Sequence, residues 1–256
     1  MGERSVTEVL LALNCFSLIQ SRMDSNVTVL FPVHNEGKNI EKVICGCYNE
    51  LSAKVPVFLL VVEDGSTDNT KDVLRRMTSR LPMRAILGPI RLGYVGAMKA
   101  GLRELNSDLV FIFDSDGQAI PAEFWKIYRF AGQYDMVLGK RSERHDPPHR
   151  LFFSEVFHLL VLLLFRLPVK DLDSSFRIVR KEVVRDVLPE TGTLKHSFWI
   201  EFTIRACKKG YTVIETPVRT APRTQGQSTL YGWTKIPRII VDQLIGLLKL
   251  RLYETR

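Results

Sequence analysis

Residues 109–118 read LVFIFDSDGQ, five apolar residues that stop abruptly on Asp114-Ser115-Asp116. An apolar run this short and unbroken is the mark of a strand buried on both faces. Working back, 57–62 (VFLLVV) and 27–33 (VTVLFPV) are built in the same way. The first runs into Glu63-Asp64-Gly65-Ser66-Thr67-Asp68, the second into His34-Asn35-Glu36-Gly37. Between the runs lie helical patterns over 39–51, 70–79 and 93–105, with a short strand at 85–87. The order βαβαβαβ predicts an α/β fold with a mainly parallel sheet flanked by helices. Such sheets bind ligands beyond the carboxyl ends of their strands. The loops at 34–36, 63–68 and 114–118 therefore converge on one edge.

The second half reads differently. A strand at 136–139 leads into the basic stretch 140–150, and residues 151–165 are apolar apart from Ser154, Glu155 and His158. Further strands are expected at 176–179 and 211–215, a helix at 181–188, and a turn-rich loop at 222–229. From 235 to 250 the pattern is helical, with Lys235, Arg238, Asp242 and Lys249 on one face. These patterns divide the chain into an N-terminal extension (1–26), a main domain (27–232) and a C-terminal amphipathic helix (233–256).

Composition sets outer bounds. The chain has 256 residues, 45% apolar and 25% charged, which suits a globular protein with a sizeable core. A net charge of +8 points to an anionic partner, such as a phosphate-bearing ligand or an anionic membrane surface. No basic stretch interleaved with aromatics suggests nucleic acid. Cys15, Cys45, Cys47 and Cys207 lack zinc-site spacing and read as reduced thiols of a cytosolic protein. No segment reaches the roughly 18 uninterrupted apolar residues of a membrane span.

The chemistry concentrates at Asp114-Ser115-Asp116-Gly117-Gln118. An isolated Asp-x-Asp is usually a solvated turn. At a buried strand's end, beside two other polar loops, it is a candidate site for a hard divalent cation, which takes oxygen ligands and bridges substrate phosphates. A carboxylate in the Glu63-Asp64 loop suits ribose or base hydrogen bonds, and Asp68 or Thr70 suits a helix cap. The glycines of Arg91-Leu92-Gly93-Tyr94-Val95-Gly96-Ala97 permit close backbone approach, but this is not a phosphate-binding P-loop.

Taken together, VTVLFPVHNEGKNI, VVEDGSTDNT, GYVGAMKAG and FIFDSDGQ resemble, in order, the motifs of family 2 glycosyltransferases, which have the GT-A fold. LGKRSERHDPPHRLFFSE, VKDLDSSFRIVRKEV, FWIEFTIRACKKGYTVIETPV and PRTQGQST resemble the branch that includes dolichyl-phosphate mannose synthase and related polyprenyl-phosphate glycosyltransferases. The resemblance spans roughly 27–232. It implies that Pro32, His34, Glu36, Glu63 and Asp64 line a nucleotide pocket and that Asp114, Asp116 and Gln118 hold Mg²⁺ or Mn²⁺. It also implies that Arg141, Arg150, Ser154 and Arg223 hold donor and acceptor phosphates. Asp116, Arg141 and Arg223 would carry catalysis. Two positions depart from the pattern: Glu63-Asp64 stands where the family usually has two aspartates, and Ser228-Thr229 replaces a frequent Ser-Lys, leaving more of the phosphate contact to Arg223.

The implied activity is inverting transfer of a hexose, of mannose or glucose type, from a GDP- or UDP-sugar to polyprenyl or dolichyl phosphate. A phosphate acceptor is already anionic near neutral pH and needs no general base. The alternative is a hydroxyl acceptor on a polysaccharide or glycolipid, for which Asp171, Asp173 or Glu201 is available as base. A lipid acceptor places the enzyme at the cytoplasmic face of a membrane. Residues 151–165 span about 22 Å as a helix, too short to cross a roughly 30 Å core but suited to lie in the interface. Arg144, Arg150, Arg166 and Lys170 flank that segment and could meet anionic headgroups.

Overall fold

The computed structural model describes residues 26–142, 148–222 and 236–253, with the side chains of 148–153, 236–237 and 253 outside the description. Seven strands form one sheet in the order β3-β2-β1-β4-β6-β5-β7. They are β1 (Val27–Val33), β2 (Val57–Glu63), β3 (Met83–Leu87), β4 (Leu109–Ile112), β5 (Met136–Arg141), β6 (Arg177–Arg180) and β7 (Val213–Val218). Strands β1 to β4 pair in parallel, as do β5 and β7. Strand β6 is reversed, antiparallel to both neighbours. Its N-terminal approach, residues 171–176, therefore reaches the edge at which the parallel strands end.

The helices are α1 (Ile40–Ser52), α2 (Thr70–Met77), α3 (Gly93–Arg103), α4 (Phe124–Tyr128), α5 (Pro148–Phe165), α6 (Lys181–Val187), α7 (Phe198–Lys208) and α8 (Ile236–Tyr253). Every residue of β1 is buried because alternate side chains enter two cores. Val29, Phe31, Leu59, Val61 and Phe111 pack beneath α1, α2 and α4. Leu30, Leu60, Val62, Val110 and Ile112 pack against α3, α5, α6, α7 and α8. Close approach of α3 to the sheet depends on Gly101, where a Cβ would collide with Leu30 Cδ1.

The expected strands and helices form with shifted ends. Helix α7 and the short α4 are additions to them. Helix α8 docks Leu247 and Leu250 into the core, so it packs as part of the same body. It also contacts α5. Between them the two helices leave apolar side chains in the open: Val156, Leu159 and Leu163 on α5, and Val241, Leu244 and Leu248 among those on α8. No described helix is long and apolar enough to cross a membrane.

Candidate active site

The three loops expected to converge do so through hydrogen bonds between strand ends. Asp64 N donates to Val33 O (2.8 Å), and Ser115 Oγ donates to the Pro32 carbonyl (2.9 Å). His34 Nδ1 donates to the Asp64 carbonyl at 2.8 Å. Asn35 N donates to Ser66 Oγ, and Thr67 N donates to Asn35 Oδ1, both at 2.9 Å. Asp68 receives Gly37 N and Thr70 N, each at 3.0 Å, so it caps α2 and ties the first two loops together. Gly65 makes the tight turn possible: its φ is +62°, and a Cβ would collide with the backbone of Ile90 and Arg91.

The Glu63-Asp64 carboxylates are engaged within the protein. Buried Glu63 accepts Ser66 N on Oε1 and faces Lys71 Nζ at 3.7 Å with Oε2. Asp64 Oδ1 and Oδ2 accept Leu92 N (2.5 Å) and Gly93 N (2.8 Å). Asp64 thus satisfies open N–H groups at the start of α3 and fixes the glycine-containing loop against the end of β2. The hydrogen-bond partners found for this side chain are backbone amides.

Asp114 and Asp116 stand at the end of β4. Ser175 Oγ donates to Asp114 Oδ2, while Asp114 Oδ1 is buried and has no hydrogen-bond partner among the described residues. Burial first, and then the neighbouring Asp116 charge, push the Asp114 carboxyl up to about 6, against opposing contributions from Ser175 and Arg141. Asp116 Oδ1 accepts Gln118 N at 3.1 Å. An orphaned buried carboxylate oxygen beside a second carboxylate is the donor set of a hard cation. Among the described residues, no group of three or more His, Cys, Asp or Glu side chains is arranged to hold a metal. A cation at Asp114 and Asp116 would therefore take further oxygens from water or phosphate, as Mg²⁺ commonly does.

Strand β5 runs parallel to β4 and delivers Arg141 to the same edge. Reversed β6 brings Asp171 to meet it. Arg141 Nε and Nη2 donate to Asp171 Oδ2 (3.0 Å) and Oδ1 (2.8 Å), a bidentate pair supplemented by Arg141 N on Oδ2. Asp171 is held in turn by its own N–H to Glu215 Oε2 at 3.0 Å. This pairing engages one candidate base, and Glu201 is engaged as well. It is buried, accepts the N–H groups of Gly192, Thr193 and Leu194, and pairs with Arg205.

Among the other expected site residues, Pro32 is buried, and His34, Glu36, Gln118 and Ser154 are part-exposed. Arg150 lies in α5, but its side chain is outside the described residues. Arg223, Ser228 and Thr229 are also outside them. The chain approaches position 223 alongside the acidic loop, since Ala221 N donates to Gln118 O at 2.9 Å. Sequence reasoning missed Asp171's service to Arg141 and the cluster of Arg177, Trp199 and Tyr94. Both depend on the reversal of β6 and on α7, which no local pattern announces.

Comparison with known proteins fits this geometry. The sequence model of glycosyl transferase family 2 matches residues 28–188. A polyprenol monophosphomannose synthase from Mycolicibacterium smegmatis is 27% identical over 225 residues, 82% of this chain and 83% of that protein. An undecaprenyl-phosphate 4-deoxy-4-formamido-L-arabinose transferase from Edwardsiella ictaluri is 28% identical over 84% of this chain and 66% of its own length. A dolichol-phosphate mannosyltransferase from Pyrococcus furiosus is 26% identical over 81% and 60%. The chain thus spans under two thirds of the last protein. Among solved structures, a mannosyltransferase from Pyrobaculum calidifontis, in complex with GDP-Man and Mn²⁺, superposes with a TM-score of 0.64 at 16% identity, covering 96% of this chain and 74% of that one. Glucosyl-3-phosphoglycerate synthase from Mycobacterium tuberculosis gives 0.63 at 17% identity, covering 93% and 82%. Those structural likenesses concern the fold, which is GT-A, and on its sequence the chain belongs to glycosyl transferase family 2.

Proposed function

We propose that this protein transfers a hexose from a nucleoside-diphosphate sugar to a polyprenyl or dolichyl phosphate at a membrane surface, with inversion. The observation that carries the proposal is the Asp114–Asp116 pair, in which Asp114 Oδ1 is buried and without a hydrogen-bond partner among the described residues, at the same strand edge as an arginine clamped by Asp171. The three sequence relatives support it, since each is named for a polyprenyl or dolichol phosphate or its mannosyl product. Asp114 and Asp116, with Gln118 beside them, would hold Mg²⁺ or Mn²⁺, which when bound supplies charge stabilisation to a departing diphosphate.

The chain's own residues manage the rest. Asp64 fixes the start of α3 and so shapes the nucleotide side of the pocket. Arg141 is permanently charged and set in place before any ligand arrives, which suits it to a phosphate oxygen. Two of the three carboxylates that a hydroxyl acceptor might use as base, Asp171 and Glu201, are already committed to hydrogen bonds within the protein. An acceptor that arrives deprotonated is consistent with that. The open apolar side chains of α5 and α8 would dip into the interface, and exposed Arg166 and Lys170 adjoin α5. The reading places the protein at the cytoplasmic face of its membrane.

A donor panel tests the proposal. Purified protein with Mn²⁺ and polyprenyl phosphate in detergent is offered GDP- and UDP-hexoses, and release of each nucleoside diphosphate is measured. One donor should turn over well above the rest; release from none of them would refute the proposal.

A further inference from the structure

Arg177 in β6 is wholly buried, and its guanidinium is held from several sides. It donates to the Ser174 and Leu172 carbonyls and to Thr203 Oγ1, and it lies 4.3 Å from the centre of the Trp199 ring. Trp199, itself buried, donates its indole N–H to the Tyr94 hydroxyl at 2.8 Å. An indole nitrogen only donates, so the tyrosine oxygen must accept. The phenolic proton is then free for another acceptor, and no described residue supplies one.

The position of this hydroxyl gives it meaning. Tyr94 follows Leu92 and Gly93, whose N–H groups bind Asp64. Arg177 lies two residues beyond Ser175, which donates to Asp114. Tyr94 therefore stands between the Glu63-Asp64 loop and the paired carboxylates, with its residue surface 39% exposed.

We propose that Tyr94 is a specificity-determining residue, donating its hydroxyl proton to a hydroxyl of the sugar carried by the nucleotide donor. Trp199 and Arg177 are positioning residues that fix the direction of that donation. The proposal rests on the reading of this site as one for nucleotide-sugar transfer. A donor fixed in this way rewards a sugar with an acceptor oxygen at one position and disfavours its epimer, whose oxygen points elsewhere.

The test compares nucleotide-sugar with bare nucleotide. Calorimetry in Mn²⁺ measures binding of GDP-mannose, GDP, UDP-glucose and UDP to the parent, to Tyr94→Phe, to Trp199→Phe and to the double variant. Tyr94→Phe should weaken the nucleotide-sugar that the parent binds by about fivefold, the worth of one neutral hydrogen bond, and leave the matching diphosphate unchanged. Diphosphate binding also reports that each variant is folded. Trp199→Phe keeps an aromatic ring beside Arg177 and loses only the N–H. It should show the same selective loss, and the double variant should be no worse than Tyr94→Phe alone. Equal losses for sugar nucleotide and diphosphate, or no loss for either, would overturn the role of Tyr94 while leaving the transfer reading intact. A parent that binds none of the four ligands would overturn the transfer reading, and this role with it.

Discussion

Replacing Asp114 with Asn separates what the carboxylate does for a cation from what it costs the fold. Burial and Asp116 hold the Asp114 carboxyl at about 6 in the folded protein, against 3.8 for an ordinary aspartate. A raised value means that the folded protein keeps a proton which the unfolded chain has already released. That contribution to stability is fully present below about pH 4 and is lost as pH climbs through 6. At about 1.4 kcal/mol per pH unit between the two values, the loss comes to roughly 3 kcal/mol. The asparagine does not titrate, and the cost of its buried amide is a constant offset of about 1–3 kcal/mol. Urea denaturation of both proteins, in EDTA from pH 4 to 8, gives the difference in stability as a function of pH. Parent minus variant should fall by about 3 kcal/mol over that span and then level off. Adding Mn²⁺ at about 100 times its Kd should return nearly 3 kcal/mol to the parent at pH 7.5 and little to the variant. A difference that is flat, or that rises with pH, would refute the burial argument for Asp114.

Other parts of the structure give further expected outcomes. Arg141→Ala should lower transfer to polyprenyl phosphate by at least about 100-fold, roughly 2.7 kcal/mol, while calorimetry finds nucleotide affinity within threefold of the parent. Gly65→Ala should destabilise the protein by about 2 kcal/mol or more by chemical denaturation, because a left-handed residue would also drive its Cβ into the backbone of Ile90 and Arg91. In vesicle flotation with anionic liposomes, the parent should float and Leu159→Ser/Leu163→Ser should float less while keeping its melting temperature, since both side chains are exposed. Leu160→Ser/Leu164→Ser should instead lose stability, because those side chains pack against the core.

Much of the first half is legible in sequence because continuous apolar runs have one good explanation. The segments 27–33 and 109–113, and residues 59–62 of the run 57–62, are buried on both faces, and each run stops where polar residues begin. The loops at the strand ends are less legible. Asp64 reads as a ligand-facing carboxylate, and nothing local shows that both its oxygens also hold amides almost thirty residues away. The second half hides more. In α7 the apolar residues Phe198, Ile200, Phe202 and Ile204 recur every second position, which imitates a strand. The helix is buried almost all round, and Glu201, Thr203 and Arg205 find partners inside the protein, so no polar stripe marks a solvent face. The direction of β6 leaves no trace in a strand of only four residues. Nevertheless, that reversal is what brings Asp171 to Arg141 and Ser175 to Asp114.

The central claim is that the acceptor is a lipid phosphate, and it can be tested by offering two acceptors that differ only in that group. Turnover of the preferred nucleotide-sugar with Mn²⁺ is measured against polyprenyl phosphate and against the matching polyprenol. A site that positions Arg141 for an acceptor already deprotonated should transfer sugar to the phosphate and leave the alcohol untouched, with nucleoside diphosphate released only when the phosphate is present. Comparable transfer to the alcohol, or release indifferent to both lipids, would contradict the account.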